Sequence, residues 1–163
     1  MATHSENTVT INQPADKVHA AFSNQEYWAY IAEHLSPEPG EVAEFSGNSV
    51  TLYEVLPQEL LPEAVRSMVS QALKVKRVVN IGELTDNNAD LSYTADVKGT
   101  PVDFGGSIKL AGEGESTTLT YDNEVSVNIP FMGPAIEPKV GEALGDLFNQ
   151  EGELTNTWIS ENL

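Results

Sequence analysis

The stretch PAIEPKVGEALGDLFNQEGELTNTWISENL, residues 134–163, is the part of the sequence that decides the fold. Its apolar residues recur at steps of three and four, which is the period of an amphipathic α-helix. They are Ile136, Val140, Leu144, Leu147, Phe148, Leu154, Trp158 and Ile159. Burying one such side chain contributes about 1.5–3 kcal/mol. The sequence therefore predicts a long C-terminal helix whose apolar face, from Ile136 to Ile159, packs on the rest of the chain.

Three glycines, Gly141, Gly145 and Gly152, interrupt this predicted helix. Each one costs about 1 kcal/mol relative to alanine. A helix keeps such residues where its backbone comes close to a neighbour or where space is left beside it. We therefore expect the helix to lie across a curved sheet, with a cavity between them.

The middle of the chain predicts β-strands in which apolar and polar residues alternate. These strands are Asn7–Ile11, Val42–Phe45, Val50–Leu56, Leu73–Ile81, Leu91–Val97, Val102–Leu110 and Thr117–Ile129. Most connections between them are short, which forces neighbouring strands to be antiparallel. One apolar face and one charged face indicate a sheet that is covered on one side, here by the C-terminal helix. Gly105 and Gly106, in mid-strand, predict a bulge or a sharp bend.

Two short helices are predicted after the first strand, one opened by Pro14 and one running from Gln25 to His34. Both are too short to be stable alone, so they must pack on other elements. The segment Pro57–Ser70 departs from the strand pattern and predicts a helical or irregular insertion. With 163 residues and no internal repeat, the pattern predicts one α+β domain over residues 1–163.

This order of elements resembles the helix-grip fold of the START-like, or SRPBCC, superfamily, which includes the birch-pollen-allergen-like proteins. The run TVTINQPADKVHAAFSNQEYW, residues 8–28, is similar to the start of these proteins, where a strand meets Pro-Ala-x-x-Val and a second helix bearing aromatic residues. More narrowly, the chain resembles an actinobacterial family of unknown function. In that family a segment like Pro130-Phe131-Met132-Gly133 precedes a last helix that ends in a tryptophan like Trp158.

The resemblance covers essentially the whole chain, and it implies a hydrophobic cavity between helix and sheet. It supplies no catalytic residues, because the superfamily includes lipid carriers, aromatase/cyclase enzymes, hormone receptors and co-chaperones.

The net charge of −17, from 25 acidic and 8 basic residues, limits the classes of partner. A surface of this sign repels phosphate backbones and anionic lipid headgroups, so we expect neither nucleic-acid binding nor stable membrane association. The first residues contain no basic and apolar segments typical of a secretory signal. We therefore expect a cytoplasmic protein. The sequence leaves the oligomeric state open.

Motifs that carry chemistry are not found in this sequence. The chain has no cysteine, and it contains no phosphate-binding loop, dinucleotide fingerprint, nucleophile elbow or zincin helix. Of the three histidines, only His19 shares a helical face with a carboxylate, Asp16, and no second cluster completes a metal site. We predict no catalytic residue, no metal and no cofactor.

Polar residues on the apolar rows are the first candidates for a binding site. Arg77 is in phase with Val75 and Val79, while Glu54 and Asn123 lie on the apolar faces of their own strands. A polar group that faces a cavity is costly unless it is paired or liganded, so each of the three is predicted to orient a bound molecule. Two alternatives remain: a bulge reverses the phase, or Arg77 and Glu54 form a structural ion pair.

Aromatic and apolar residues facing the expected cavity complete the predicted ligand-binding set. Tyr93, Tyr121 and Trp28 carry hydroxyl or indole donors, although such residues are more often plain core. The apolar candidates are Phe104 on a strand and Val140 and Leu144 on the helix.

Three functional hypotheses are consistent with this sequence. The first is a non-enzymatic protein that binds a small hydrophobic molecule or lipid between helix and sheet. The second is an enzyme of the cyclase, dehydratase or hydrolase kind that uses Arg77, Tyr121 or Asn123 as polarising groups. The third is a co-chaperone-like protein-interaction module, which would carry an exposed apolar patch.

Overall fold

The elements of the fold follow the predicted order along the chain. The computed structural model describes residues 2–34, 38–56, 73–97, 102–128 and 133–163. Within these ranges the elements are β1 Ala2–Ile11, α1 Ala15–Phe22, α2 Gln25–His34, β2 Glu38–Phe45, β3 Ser49–Leu56, β4 Leu73–Ile81, β5 Asn88–Val97, β6 Val102–Glu113, β7 Ser116–Val127 and α3 Gly133–Asn162. The insertion predicted over Pro57–Ser70 and the segment Pro130-Phe131-Met132 lie outside the described residues.

The strands form one seven-stranded antiparallel sheet, in the order β1-β7-β6-β5-β4-β3-β2. The first strand of the chain therefore pairs with the last, and β2 forms the opposite edge. Buried and exposed residues alternate strictly along β5, as the sequence pattern predicts for a sheet covered on one side. The predicted α+β fold, with a curved sheet, a long C-terminal helix and short helices after β1, is confirmed.

Gly105 and Gly106 do not form a bulge, because β6 pairs one-to-one with β5 and β7 through both residues. Glycine is required at these two positions for a steric reason instead. A Cβ on Gly106 would overlap the carbonyl oxygen of Asp122, and a Cβ on Gly105 would lie 2.7 Å from the carbonyl oxygen of Tyr93. Glycine therefore permits the close approach of neighbouring backbones at this point of the curved sheet.

The long helix α3 lies across the sheet and packs closely on β1. A Cβ on Gly141 would lie 3.1 Å from Cβ of Ser5, and a Cβ on Gly145 would lie 2.6 Å from Nδ2 of Asn7. A Cβ on Gly152 would likewise meet Val9, so the three glycines in the interior of α3, Gly141, Gly145 and Gly152, are explained by close approach to β1. The buried apolar residues of α3 face the interior at the predicted spacing; they are Val140, Leu144, Leu147, Phe148, Trp158 and Ile159.

The short helices α1 and α2 close the interior at one end of α3. Phe22, Tyr27 and Trp28 form an aromatic cluster with Trp158, in which the ring centroids of Tyr27 and Trp158 are 5.5 Å apart. Within the described ranges, no helix combines the length and the apolar character that crossing a lipid bilayer requires.

Replacing Gly152 with alanine should lower the free energy of unfolding by about 1–3 kcal/mol, although alanine is the better helix former. The added methyl group would overlap Cγ1 of Val9 on β1, so the helix or the strand must shift. Urea denaturation measures the change. The exposed Gln150 gives a control on the same helix, since Gln150→Ala should change stability by less than about 0.5 kcal/mol. A Gly152→Ala protein more stable than wild type would contradict the close packing of α3 on β1.

Candidate functional site

A small cavity lies between α3, the helices α1 and α2, and the inner face of the sheet. Its volume is about 20 Å³, which is room for about one water molecule. Six aromatic rings line it: Phe22, Tyr27, Trp28, Tyr93, Tyr121 and Phe148. Aliphatic side chains from the central strands complete most of the wall. The polar side chains at the wall are therefore few.

Arg77, on β4, is the central polar residue of the site, and it contacts two buried carboxylates. Its Nη1 and Nη2 donate to the two carboxylate oxygens of Glu151, on α3, at 2.9 and 3.2 Å. Its Nε lies 2.8 Å from Oε1 of Glu54, on β3, which is an ion-pair distance. That contact lies outside hydrogen-bond geometry, so Nε of Arg77 and Oε1 of Glu54 have no hydrogen-bond partner among the described residues. We call Arg77, Glu54 and Glu151 the charged triad.

The charged triad places one guanidinium beside two carboxylates, largely out of contact with bulk solvent. Arg77, Glu54 and Glu151 are only 6%, 3% and 6% exposed. Burial raises the pKa of Glu54, and the neighbouring charge of Arg77 offsets only part of this effect. Burial acts to lower the pKa of Arg77, but Glu151 and Glu54 outweigh it and the pKa rises, so Arg77 stays charged. Glu54 is therefore a carboxyl group of the triad whose pKa burial raises.

Trp28, on α2, covers the guanidinium of Arg77. The Cζ atom of Arg77 lies 5.8 Å from the centroid of the Trp28 ring, a cation–π distance. The indole nitrogen of Trp28 donates to the carbonyl oxygen of Phe22 at 2.7 Å, which fixes the ring. The aromatic donor of Trp28 is therefore used inside the protein, while its ring face stabilises the triad.

Two tyrosines that line the cavity differ in how their hydroxyl groups are satisfied. Tyr93 donates a short hydrogen bond to Oδ1 of Asn123, and Nδ2 of Asn123 donates to Oδ1 of Asn7 at 2.6 Å. Tyr121 is only 5% exposed and lines the cavity, and none of the hydrogen bonds found among the described residues involves its hydroxyl. Burial raises the pKa of Tyr121, and Glu151 raises it further, so this hydroxyl keeps its proton. A buried tyrosine hydroxyl normally finds a partner, so Tyr121 presents an unused donor and acceptor beside the cavity.

Removing the hydroxyl group of Tyr93 and that of Tyr121 should have different effects on stability. Tyr93→Phe should lower the free energy of unfolding by about 1–3 kcal/mol, because Oδ1 of the fully buried Asn123 loses its donor. Tyr121→Phe should leave stability unchanged or raise it slightly, because no hydrogen bond is lost. Urea denaturation of the two variants in parallel measures the difference. Equal losses in both variants would mean that Tyr121 has a partner after all.

The pKa of Glu54 gives stability a pH dependence that a variant can isolate. The pKa of Glu54 is higher in the folded state than in the unfolded state, so the ionised form of Glu54 disfavours folding. This cost decreases as the pH falls through the folded-state pKa, and it increases as the pH rises through it. The charged and titratable groups around Glu54 are Arg77 on β4, Glu151 on α3 and Tyr27 on α2. The stability of wild type relative to Glu54→Gln should therefore rise as the pH is lowered toward the unfolded-state pKa, about 4.3 for a free glutamate. A difference independent of pH would contradict a raised pKa at Glu54.

The structure brings four of the predicted site residues together at the cavity: Arg77, Tyr93, Tyr121 and Trp28. Glu54 joins them through Arg77, so the ion pair weighed as an alternative for these two residues is present. The other four are buried but do not line the cavity; they are Asn123, Phe104, Val140 and Leu144. Asn123 instead links Tyr93 to β1, where Nδ2 also lies 3.4 Å from Oγ of Ser5.

Sequence reasoning missed several residues of the site, above all Glu151. A signal was present, because Glu151 lies three residues after Phe148 and seven before Trp158, on the apolar stripe of α3. Thr155 was also missed; its hydroxyl donates to the carbonyl oxygen of Glu151 at 2.8 Å and pairs with the hydroxyl of Tyr27 at 2.7 Å. Because Thr155 lies four residues after Glu151, it belongs to the same stripe.

No cluster of three or more histidine, cysteine, aspartate or glutamate side chains suited to a metal occurs among the described residues. His19 donates from Nε2 to the carbonyl oxygen of Gly82 at 2.7 Å. The polar side chains that line the cavity include Arg77, Glu151 and the tyrosines. These groups can donate or accept hydrogen bonds and can compensate the charge of a bound molecule.

Comparison with known proteins agrees with this architecture. The uncharacterized protein Rv0481c of Mycobacterium tuberculosis is 27% identical over 162 residues, covering 91% of each chain. A START superfamily protein from Mycobacterium smegmatis superposes with a TM-score of 0.59 at 13% identity, covering 98% of this chain and 99% of the other. Norcoclaurine synthase from Thalictrum flavum, in complex with dopamine and hydroxybenzaldehyde, superposes with a TM-score of 0.62 at 13% identity, covering 100% and 89%.

The two structural likenesses establish the fold alone, because their sequence identities are low. The sequence match is more specific: residues 6–159 match the family described as protein of unknown function, DUF2505. The relative from Mycobacterium tuberculosis has no described function, which agrees with that description. This chain belongs to the DUF2505 family and has the START-like helix-grip fold.

Proposed function

We propose that this protein binds a small, largely apolar molecule that carries one polar group, in the interior between α3 and the sheet. The observation that carries the proposal is the hydroxyl of Tyr121, which lies at an aromatic-lined cavity and makes no hydrogen bond to another described residue. A binding site for a small molecule is usually apolar with a few convergent polar groups, as this cavity is. A ligand that hydrogen-bonds to Tyr121 would remove the cost of leaving that hydroxyl unpaired.

The size of the cavity limits the ligand. A volume of about 20 Å³ favours a small molecule over a lipid, and even a single aromatic ring requires side chains to move. Phe148 is the side chain to displace, since its ring stacks on Tyr121 with centroids 4.2 Å apart and lies between α3 and the sheet. Norcoclaurine synthase, which has the same fold, is described with dopamine and hydroxybenzaldehyde bound. Molecules of that size are therefore a suitable class to test first.

The two other hypotheses have less support. The groups suited to acid–base chemistry are largely engaged with one another, Arg77 with two glutamates and Tyr93 with Asn123. For an interaction module, the described surface offers little apolar area, since Leu163 is the only large apolar side chain exposed in those ranges.

The experiment is a titration of the isotope-labelled protein with 2-phenylethanol, followed by NMR. This neutral molecule combines one aromatic ring with one hydroxyl group. We expect saturable shifts at residues around the cavity, with a dissociation constant on the order of 1 mM, equivalent to about −4 kcal/mol. Shifts confined to the surface, or no saturation, would overturn the proposal.

A cavity-filling variant tests the location of binding. Val79 lines the cavity and is 3% exposed, so Val79→Ile should occupy the free space and weaken binding at least tenfold. Val127 is 5% exposed and does not line the cavity, so Val127→Ile is the matched control and should bind as wild type does. Equal binding by both variants would mean that the ligand sits elsewhere.

A further inference from the structure

The charged triad is not electrically balanced when both of its carboxylates are ionised. It contains one guanidinium and two carboxylates, and among the described residues Arg77 is the only buried basic side chain. Burying a carboxylate costs free energy unless a nearby cation compensates its charge. A positive charge brought close to the triad should therefore stabilise it. Arg77 and Glu151 line the cavity, and Glu54 contacts Arg77 without lining it. The surplus negative charge is therefore adjacent to the space where a ligand would lie.

A hydrogen-bond acceptor is also left unused at the cavity. Within the triad, Nε of Arg77 and Oε1 of Glu54 form an ion-pair contact at 2.8 Å, outside hydrogen-bond geometry. The hydroxyl oxygen of Tyr121 is free to accept a hydrogen bond at the same cavity. A ligand group with N–H donors would complement the oxygen of Tyr121.

The walls of the cavity favour positive charge as well. Aromatic faces attract cations through their quadrupoles, and six aromatic rings line this small space. The ring of Trp28 already stabilises the guanidinium of Arg77 in this way. A carboxylate in the same position would be repelled by Glu151 and by the aromatic faces. Arg77 would attract it, but Nη1 and Nη2 of Arg77 already donate to Glu151.

We propose that the polar group of the ligand is a cation, an alkylammonium group, which pairs with the surplus negative charge of the triad and with the hydroxyl of Tyr121. The proposal rests on the proposed function, since it specifies the ligand of the same cavity. The ligand class is therefore an aromatic or apolar amine of small size.

Three molecules that share one ring and a two-carbon chain test this proposal on the wild-type protein. They are phenethylamine, 2-phenylethanol and 3-phenylpropionate, which at pH 7 are a cation, a neutral molecule and an anion. NMR titration of each should give the tightest binding for the amine, at least tenfold tighter than the alcohol, and the weakest for the carboxylate. If the alcohol binds at the cavity as tightly as the amine, the charge inference is wrong and the proposed function stands. If none of the three binds there, both are wrong.

Attraction of the amine to the acidic surface must be separated from binding at the cavity. Val79→Ile should abolish the tenfold preference, because it fills the cavity without changing any charge. Glu54→Gln removes the surplus charge of the triad, and it should reduce the preference of amine over alcohol to less than threefold. Glu153 is exposed on α3, so Glu153→Gln changes the net charge equally and should retain the full preference. A preference that survives in Val79→Ile or in Glu54→Gln would overturn the proposal.

Discussion

Replacing Arg77 with methionine should lower the free energy of unfolding by about 3–5 kcal/mol. The substitution keeps an unbranched side chain of similar length but leaves Glu54 and Glu151 buried without a cation. Two adjacent buried carboxylates repel each other and lose their hydration, so the folded state must take up a proton or admit water. Chemical denaturation at pH 7 measures the loss.

The neighbouring Lys76 provides the control for this prediction. It precedes Arg77 on β4 and points to the opposite, partly exposed face of the sheet, so Lys76→Met should change stability by less than about 1 kcal/mol. The Arg77→Met protein should also recover stability when the pH is lowered toward 5, because protonation removes the repulsion. A loss below about 1 kcal/mol, with no dependence on pH, would mean that the triad contributes little to folding.

The second large effect is expected at Phe148. Phe148→Ala should cost about 3–5 kcal/mol, because the ring is 2% exposed and packs between Tyr121 and Tyr93. The same substitution should enlarge the cavity by roughly the volume of a benzene ring and create an apolar space that small aromatic molecules can fill. Benzene should therefore raise the melting temperature of this variant and leave that of wild type almost unchanged.

Leu147→Ala is the matched control for Phe148→Ala. Leu147 is buried on the same helix, but it does not line the cavity. Its removal should cost about 2–5 kcal/mol without any effect of benzene on the melting temperature. If benzene stabilised both variants equally, or neither, Phe148 would not be the side chain that separates the cavity from a larger binding space.

Local periodicity explains why most of the architecture follows from the sequence. The three- and four-residue spacing on α3 and the two-residue spacing on strands such as β5 are properties of a single element. Each pattern predicts which residues of the element face the interior, without knowledge of the element it packs against. Short connections then leave few ways of arranging the strands, so the antiparallel sheet and its covering helix were both predictable.

The first strand shows where this reasoning is incomplete. Its predicted extent was Asn7–Ile11, whereas β1 begins at Ala2. The inward-facing residues of β1 before Val9 are polar, because they contact the glycines and buried polar groups of α3 rather than an apolar core. Ser5 lies against Gly141, and Thr3 donates to Oε1 of Glu137 at 2.7 Å. An apolar alternation cannot identify a strand of this kind.

The sequence by itself determined the helix-grip architecture and marked Arg77, Glu54 and Asn123 as unusual inward-facing residues, because phase along an element is a local property. Only the tertiary structure decided which partners they have and how much space remains beside them. Arg77 meets Glu151 across 74 residues of chain, and nothing local to either residue encodes that contact. The cavity volume likewise depends on how closely α3 approaches β1 and on where Phe148 packs. The approach of α3 to β1 and the position of Phe148 each depend on many contacts between residues far apart in the chain, and no single stretch of sequence contains that information.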